Sequence, residues 1–185
     1  QVKMLSFNAQ SCRSKLTEIN NLIEESGADV VFITETFFKQ HDDHLVSEIL
    51  PPGFDILSVP RPKRKGGGVA IIYRSSFTVK PFTSDVTFSS FEVSSITIVT
   101  PSLNLICSCV YRPPSSSKAN NSPCAFLSEF EQFLTSITDH SNIIITGDFN
   151  VHVDQPEKQF PRKSIDLLCE HDLNQHVHTP THRQN

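Results

Sequence analysis

Five polar side chains stand where apolar segments of the sequence end, and their types are those that bind hard cations and phosphate. They are Asn8, Glu35, Tyr111, Asp148 and Asn150. The ends of strands meet along one rim of a sheet, where sites are commonly assembled. Mg²⁺ takes one or two carboxylates and completes its shell with water and phosphate oxygens. The set therefore predicts a rim that holds Mg²⁺ and a phosphate, although each residue taken singly is also typical of an exposed turn.

A cluster of cations precedes three consecutive glycines. We call this cluster the basic loop, and it consists of Arg61, Lys63, Arg64 and Lys65. Glycines let a backbone approach a partner closely, and basic clusters supply the sequence-independent part of DNA affinity. The pattern favours contact with DNA phosphates over a merely solvated loop. Arg112, directly after the segment that ends at Tyr111, is added to the predicted DNA-binding residues.

The elements that carry these residues follow from hydrophobic periodicity and turn residues. Strands are predicted at 2–7, 29–34, 54–59, 69–73, 77–83, 86–99, 103–111 and 143–146. Helices are predicted from Ser14 to Gly27, over 43–50, from Ser122-Pro123 through Ile137, and over 164–171. Strand-rich segments with a few helices between them predict an α/β layered fold built on β-sheets.

Length and composition limit the remaining possibilities. The chain has 185 residues, 37% of them hydrophobic, which predicts one domain, 1–185, with a sizeable core. No apolar run approaches the ~20 residues that span a bilayer, so no membrane partner is expected. The net charge of −4 argues against a protein coated in positive charge and leaves room for a local basic patch. No oligomer is indicated.

The five cysteines and the start of the chain bear on the compartment. The cysteines are odd in number and form no C-x-x-C pair, and the chain opens on a strand-like segment rather than a signal peptide. We therefore expect buried thiols in a reducing compartment, nuclear or cytoplasmic, and not a secreted protein.

Several of these segments, in their order along the chain, resemble a known family. They are FNAQS (7–11), ITET (33–36), RKGGGVAI (64–71), VYRPP (110–114) and IITGDFNVH (144–152). The combination resembles the endonuclease domain of non-LTR (LINE-type) retrotransposons, within the endonuclease/exonuclease/phosphatase superfamily. The resemblance implies a DNase I-like fold, a two-layer β-sandwich flanked by helices. It also implies a Mg²⁺-dependent enzyme, with Mn²⁺ as a possible substitute.

The resemblance also implies a role for each rim residue. Asn8 resembles the asparagine near the metal, and Glu35 resembles the principal metal-binding glutamate. Tyr111 resembles the tyrosine that contacts phosphate, Asp148 the aspartate that orients or deprotonates the attacking water, and Asn150 the asparagine that grips the scissile phosphate. The implied function is nicking of target DNA, whose 3′ hydroxyl primes a reverse transcriptase domain of the same polyprotein.

One motif of the resembled family is missing from the sequence. Family members continue into further strands and end with a Ser-Asp-His motif, which does not occur here. We therefore expect the domain to be incomplete at its C-terminus, without its last strands and without the terminal Asp-His pair that full activity needs. Two other functions stay open: an inactive truncated or host-adopted relic, and a phosphatase of the same superfamily.

Overall fold

Two four-stranded sheets form the centre of the structure, which is a computed structural model. It describes residues 1–61, 66–82, 86–114, 122–138 and 142–177. Within these ranges the strands are Met4–Asn8 (β1), Val30–Thr34 (β2), Phe54–Val59 (β3), Val69–Arg74 (β4), Thr78–Pro81 (β5), Glu92–Val99 (β6), Asn104–Tyr111 (β7) and Ile143–Asp148 (β8). The helices are Leu16–Ser26 (α1), Asp43–Glu48 (α2), Pro123–Ile137 (α3) and Gln159–Glu170 (α4). The sheets and their outer helices confirm the predicted two-layer α/β sandwich.

Each sheet contains one parallel pair of strands. The first sheet has the order β1-β2-β4-β3, and the second has the order β5-β6-β7-β8. β1 runs parallel to β2, and β7 runs parallel to β8, whereas all other pairs are antiparallel. Because parallel strands end on the same side, each sheet brings two strand ends to one edge.

The pattern of β2 explains how the sandwich is layered. All five residues of this strand are buried, as expected for a strand covered on both faces. Val30 and Phe32 face the second sheet, where they pack with Ile96 of β6. Val31 and Ile33 point the other way and pack under α1 and α2. The alternation of a strand thus divides one apolar run between two cores.

Helix α3 covers the outer face of the second sheet. Its cap is the predicted one: the Ser122 hydroxyl accepts a hydrogen bond from the Ala125 amide at 3.2 Å, and a proline occupies the first turn. The buried side of the helix consists of Phe126, Phe130, Phe133, Leu134 and Ile137. These side chains pack on β7 and on α4, so the helix pair closes the third core of the domain.

Several predicted boundaries differ from the structure by a residue or more, and contacts explain three of these differences. The strand predicted over 86–99 begins only at Glu92, because the Glu129 carboxylate binds the amide and hydroxyl groups of Ser89 and Ser90 at 2.7–2.8 Å and fixes them in a bend. Helix α4 begins at Gln159, before the predicted 164, since Phe160 packs against α3.

Helix α1 begins at Leu16 rather than after a Ser14 cap. Lys15 takes the capping position because its backbone amide bonds to the Cys12 carbonyl in a preceding turn. The C-terminal end is as predicted, with Gly27 in the left-handed conformation.

The cysteines were predicted to be buried, and this is correct for only part of the set. Cys12, Cys107 and Cys109 are buried, whereas Cys124 and Cys169 are exposed on α3 and α4. Burial raises the pKa of the Cys12 and Cys107 thiols to about 12. Within the described ranges, no helix has the length and apolar character that crossing a membrane requires.

Candidate active site

The two parallel strand pairs bring the predicted rim residues together. Asn8 ends β1 opposite Thr34 of β2, and Glu35 is the next residue after that strand. In the second sheet Tyr111 ends β7 opposite Asp148, the last residue of β8. Four strand ends from two sheets therefore meet at one rim, as the sequence predicted.

A single amide group joins the two sheets at this rim. Asn8 Nδ2 donates to Glu35 Oε1 at 2.9 Å and to Asp148 Oδ2 at 2.8 Å. Asn8 Oδ1 accepts a hydrogen bond from the Gln10 amide at 2.9 Å, which fixes the orientation of the side chain. The prediction that Glu35 and Asp148 lie on the same side of the domain is confirmed.

Two of the rim residues have left-handed backbones, and the one at Glu35 is strained. Glu35 has φ +54° and Asn150 has φ +47°, both in the left-handed region. Asparagine visits this region readily, but glutamate does so rarely, and such a conformation costs on the order of 1–3 kcal/mol. The Glu35 carbonyl is held by the Ser11 amide at 2.9 Å. Surrounding structure therefore imposes the conformation that turns the Glu35 carboxylate toward the rim.

Tyr111 lies beneath the rim with 5% of its surface exposed. Burial is the main cause that raises its pKa, and the charge of Glu35 and a hydrogen bond with that carboxylate raise the pKa further. Arg61, whose guanidinium lies 5.6 Å from the centre of the tyrosine ring, lowers the pKa in part. The phenol consequently stays protonated and can donate a hydrogen bond.

Arg61 is fixed beside Tyr111 by a residue that the sequence analysis missed. It forms an ion pair with Glu92, whose other oxygen accepts a hydrogen bond from the Gly68 amide at 2.6 Å. Glu92 lies directly opposite Tyr111 in the β6–β7 register. The one available signal was an acidic residue at the start of an otherwise apolar and hydroxylic strand. Lys63, Arg64 and Lys65 of the basic loop lie outside the described residues.

A glycine is required at the position before Asp148. Gly147 has φ +136°, and a Cβ at this position would lie 1.9 Å from the Val110 carbonyl oxygen. The absent side chain allows β8 to approach β7 closely and brings Asp148 level with Tyr111. This contact explains the glycine of the GDFN segment.

Asn150 is held next to Asp148 by its own backbone and side chain. Its amide donates to Asp148 Oδ1 at 3.1 Å, and its Nδ2 donates to the Arg112 carbonyl at 2.7 Å. Asp148 thus accepts a hydrogen bond at each carboxylate oxygen, one from Asn150 and one from Asn8. These contacts fix the plane of the carboxylate.

The structure corrects the expected role of Arg112. We predicted a DNA-binding cation, but this side chain has 0% of its surface exposed. Its guanidinium lies 4.7 Å from the Phe160 ring centre and 5.1 Å from that of Phe126. A DNA phosphate approaching the rim would not reach a cation covered by two aromatic rings. The proline that follows Arg112 gave the appearance of a surface loop, whereas the chain is still inside the domain.

The donor set at the rim fits a hard cation with few protein ligands. Among the described residues, no group of three or more His, Cys, Asp or Glu side chains could hold a metal ion. Glu35, Asp148 and the Asn8 oxygen are nevertheless hard oxygen donors, and Mg²⁺ typically binds one or two carboxylates plus water and phosphate. Two carboxylates on one amide nitrogen also repel each other, which a divalent cation would relieve.

Comparisons with known proteins bear on the whole chain. The model of the Endonuclease/Exonuclease/phosphatase family matches residues 5–184. The solved endonuclease domain of TRAS1, a telomere-specific non-LTR retrotransposon, is similar with a TM-score of 0.67 at 15% identity; the match covers 92% of this chain and 72% of that one. A search of curated proteins finds no match.

Two further similar structures are those of an AP endonuclease and a phosphatase. The AP endonuclease LMAP from Leishmania major has a TM-score of 0.67 at 14% identity, over 92% of this chain and 66% of that one. A mannosyl-6-phosphatase from Bacteroides thetaiotaomicron has a TM-score of 0.61 at 18% identity, over 90% of this chain and 70% of that one. At these identities the likeness demonstrates a shared fold alone, and it confirms the DNase I-like sandwich.

Proposed function

Because the chain belongs to the endonuclease/exonuclease/phosphatase family, we propose that it is a Mg²⁺-dependent endonuclease that nicks DNA, with Mn²⁺ as a usable substitute. The observation that carries this proposal is the Asn8 amide nitrogen, which donates to one carboxylate from each sheet at 2.9 and 2.8 Å. Together with the Tyr111 hydroxyl at Glu35, this arrangement supplies the oxygen ligands and the donor that phosphodiester hydrolysis requires.

Glu35 and Asn8 are the residues that would hold the cation. Glu35 offers a carboxylate, and Asn8 Oδ1 keeps a second lone pair beside its bond with the Gln10 amide. When bound, Mg²⁺ polarises a phosphoryl oxygen and offsets negative charge on the reacting phosphate. The strained backbone of Glu35 holds its carboxylate at the rim before any cation arrives.

Asp148 orients the attacking water and accepts its proton. Both carboxylate oxygens are already fixed, by Asn8 Nδ2 and by the Asn150 amide, and each can accept a further hydrogen bond. The water oxygen bonds to phosphorus while the bond from phosphorus to the 3′ oxygen breaks. The released 3′ oxygen takes up a proton from solvent and becomes a 3′ hydroxyl, and Asp148 returns its proton to solvent.

Tyr111 and Asn150 stabilise the negative charge that the reaction develops. The raised pKa keeps the tyrosine hydroxyl protonated. Its single O–H, which bonds Glu35 in the free protein, would turn to a phosphate oxygen when the substrate binds. Asn150 uses one of its side-chain N–H groups on the Arg112 carbonyl, and the second N–H can reach the scissile phosphate. Fixed donors of this kind stabilise a transition state without reorganisation.

The substrate in this proposal is DNA, and the partner is a reverse transcriptase domain of the same polyprotein. The basic loop supports DNA contact, since clustered cations neutralise backbone phosphates independently of sequence. A nick that leaves a 3′ hydroxyl provides the primer that a reverse transcriptase needs.

The test is nicking of supercoiled plasmid by the purified protein, with Mg²⁺ and with EDTA. We expect slow Mg²⁺-dependent relaxation, below full activity because the sequence contains no Ser-Asp-His motif, and Asp148→Asn should abolish it. Asp166→Asn, on the exposed side of α4, is the matched control that leaves the activity intact. Nicking in EDTA, or by the Asp148 variant at the wild-type rate, would contradict the proposal.

DNA-binding and phosphomonoesterase assays of the same protein separate the alternative functions. DNA binding without nicking at any Mg²⁺ concentration would favour a non-catalytic relic. Hydrolysis of a small phosphomonoester, with intact plasmid DNA, would favour a phosphatase.

A further inference from the structure

Arg112 is among the largest fully buried side chains of the domain. Its guanidinium is stacked between Phe126 of α3 and Phe160 of α4, at 5.1 and 4.7 Å from the ring centres. Burial lowers the pKa of this arginine, which means that the charged form is costly to keep here. An arginine in the interior next to a candidate active site calls for a role that an apolar side chain could not fill.

Several hydrogen bonds of Arg112 go to three consecutive residues of the rim, Asp148, Phe149 and Asn150. Its amide donates to the Asp148 carbonyl at 2.8 Å. Its Nη1 donates to the Asn150 carbonyl at 3.1 Å and to the Phe149 carbonyl at 3.4 Å. In return, its own carbonyl accepts the Asn150 side-chain amide at 2.7 Å. One residue therefore binds both the backbone and the side chain of the segment 148–150.

No strand or helix continues through residues 149–150, so hydrogen bonds must fix their conformation. Asn150 has φ +47°, and from that position its amide reaches Asp148 Oδ1 at 3.1 Å. If the Asn150 carbonyl were released, the peptide could relax and the amide would leave the Asp148 carboxylate. Arg112 thus holds Asp148 and Asn150 in their orientation at the rim, although its own side chain is buried.

We propose that Arg112 is a positioning residue for the reaction, which fixes Asp148 and Asn150 from below the rim. This inference rests on the proposed function for its catalytic consequence, but its structural content is independent of it. The fork geometry matters because a guanidinium donates in two directions while its plane stays stacked between rings. Through Phe126 and Phe160, the packing of α3 on α4 determines how firmly the segment 148–150 is held.

The first test compares Arg112→Met with Arg112→Lys. Methionine fills a similar volume without donating, and lysine can donate but cannot stack as a plane. We expect kcat to fall about 10²-fold in Arg112→Met, since small misplacement of reacting groups costs about that much. KM should change less than threefold, and Arg112→Lys should recover part of kcat. If kcat falls equally in the two variants, or if KM rises while kcat is unchanged, Arg112 is not a positioning residue.

Arg74→Met is the matched control. Arg74 also stacks on an aromatic ring, that of Phe54 at 4.8 Å, and bonds to Asp29, but it lies at the opposite end of its sheet from the rim. We expect it to lower thermal stability without changing kcat. If it lowers kcat as much as Arg112→Met does, the effect belongs to general packing and the proposal fails.

A second measurement does not depend on activity. Amide hydrogen exchange at residues 148–150 and the NMR signal of the Asn150 side-chain amide report how firmly this segment is fixed. Both are measured in wild type and in Arg112→Lys, which is the milder substitution. We expect faster exchange at 148–150 and a shifted Asn150 side-chain signal, with β2 and α1 unchanged. If these changes occur in a protein that never nicks DNA, the positioning role stands and the proposed function fails. Unchanged signals in a folded variant would overturn the positioning role itself.

Discussion

Glu35→Gln tests the candidate cation site without reference to catalysis. The substitution keeps the shape of the side chain and removes one of the two carboxylates that share the Asn8 amide. Its effect on the unfolding free energy in EDTA has two opposed parts. At an effective dielectric of about 20, unit charges about 6 Å apart repel by about 3 kcal/mol, and solvent at the rim reduces this considerably. Against that gain, hydrogen bonds from Asn8 and Tyr111 weaken by about 1 kcal/mol each when their acceptor becomes neutral.

The two parts nearly cancel, so we expect Glu35→Gln to lie within about 1 kcal/mol of wild type in EDTA. For a chain of this size that difference corresponds to about 2–4 °C in Tm. Mg²⁺ should separate the two proteins. At 100 times its Kd the cation stabilises a protein that binds it by about 2.7 kcal/mol, or about 5–10 °C in Tm.

The assay is thermal unfolding in EDTA and across a Mg²⁺ titration. We expect a rising Tm for wild type and a flat Tm for Glu35→Gln. Glu25→Gln on the exposed side of α1 should behave like wild type and controls for loss of a charge. If Mg²⁺ raises the Tm of Glu35→Gln as much as that of wild type, Glu35 does not hold the cation. A loss of more than about 4 kcal/mol in EDTA would instead make Glu35 a structural residue.

Three further predictions concern Tyr111, Gly147 and the basic loop. Tyr111→Phe should lower nicking about 10²–10³-fold, by loss of one fixed donor. Because the folded pKa of Tyr111 lies above the usual value of 10, wild-type stability should fall as pH rises above 10, and chemical denaturation should detect a smaller fall in the variant. Gly147→Ala should lower the free energy of unfolding by about 3 kcal/mol or more, because its Cβ would lie 1.9 Å from a carbonyl oxygen. Gly53→Ala is the control: no atom lies within 4 Å of the added Cβ, so it should lower the free energy of unfolding by only about 1–2 kcal/mol. Urea unfolding measures both values. Replacing Lys63, Arg64 and Lys65 of the basic loop with alanine, and keeping Arg61 because it pairs with Glu92, should weaken DNA binding equally for all sequences and reduce the slope of log K against log salt. An unchanged slope would remove the loop from the interface.

Local patterns predicted the convergence of the rim because strand ends are marked by abrupt changes in polarity. Glu35 follows five buried residues, and Asp148 and Asn150 follow a run of isoleucines, so their place at strand ends could be read directly. What joins the two sheets could not be read in this way. The Asn8 amide meets a carboxylate 140 residues away, and only the packing of the two sheets creates that contact.

Two of the failures share a physical cause, which is a polar group whose partner is remote in sequence. Glu129 determines where β6 begins, although it lies on α3, nearly 40 residues after the bend that it binds. Arg112 precedes two prolines and has the composition of a surface turn, yet it is buried because aromatic rings from α3 and α4 cover it. A pattern within one segment carries no information about such partners.

The distribution of strain supports a functional rim independently of any resemblance. Most of the fold agrees with local rules: apolar faces are buried, α3 has its cap, and a glycine ends α1. Several exceptions lie at one edge, where Glu35 has a left-handed backbone, two carboxylates share an amide, and Arg112 is buried beneath them. Left-handed residues also occur away from this edge, as at Asp172 after α4. The exceptions at the edge orient oxygen and N–H groups toward one place at a cost in stability. Several such conflicts side by side are typical of selection for chemistry at that location.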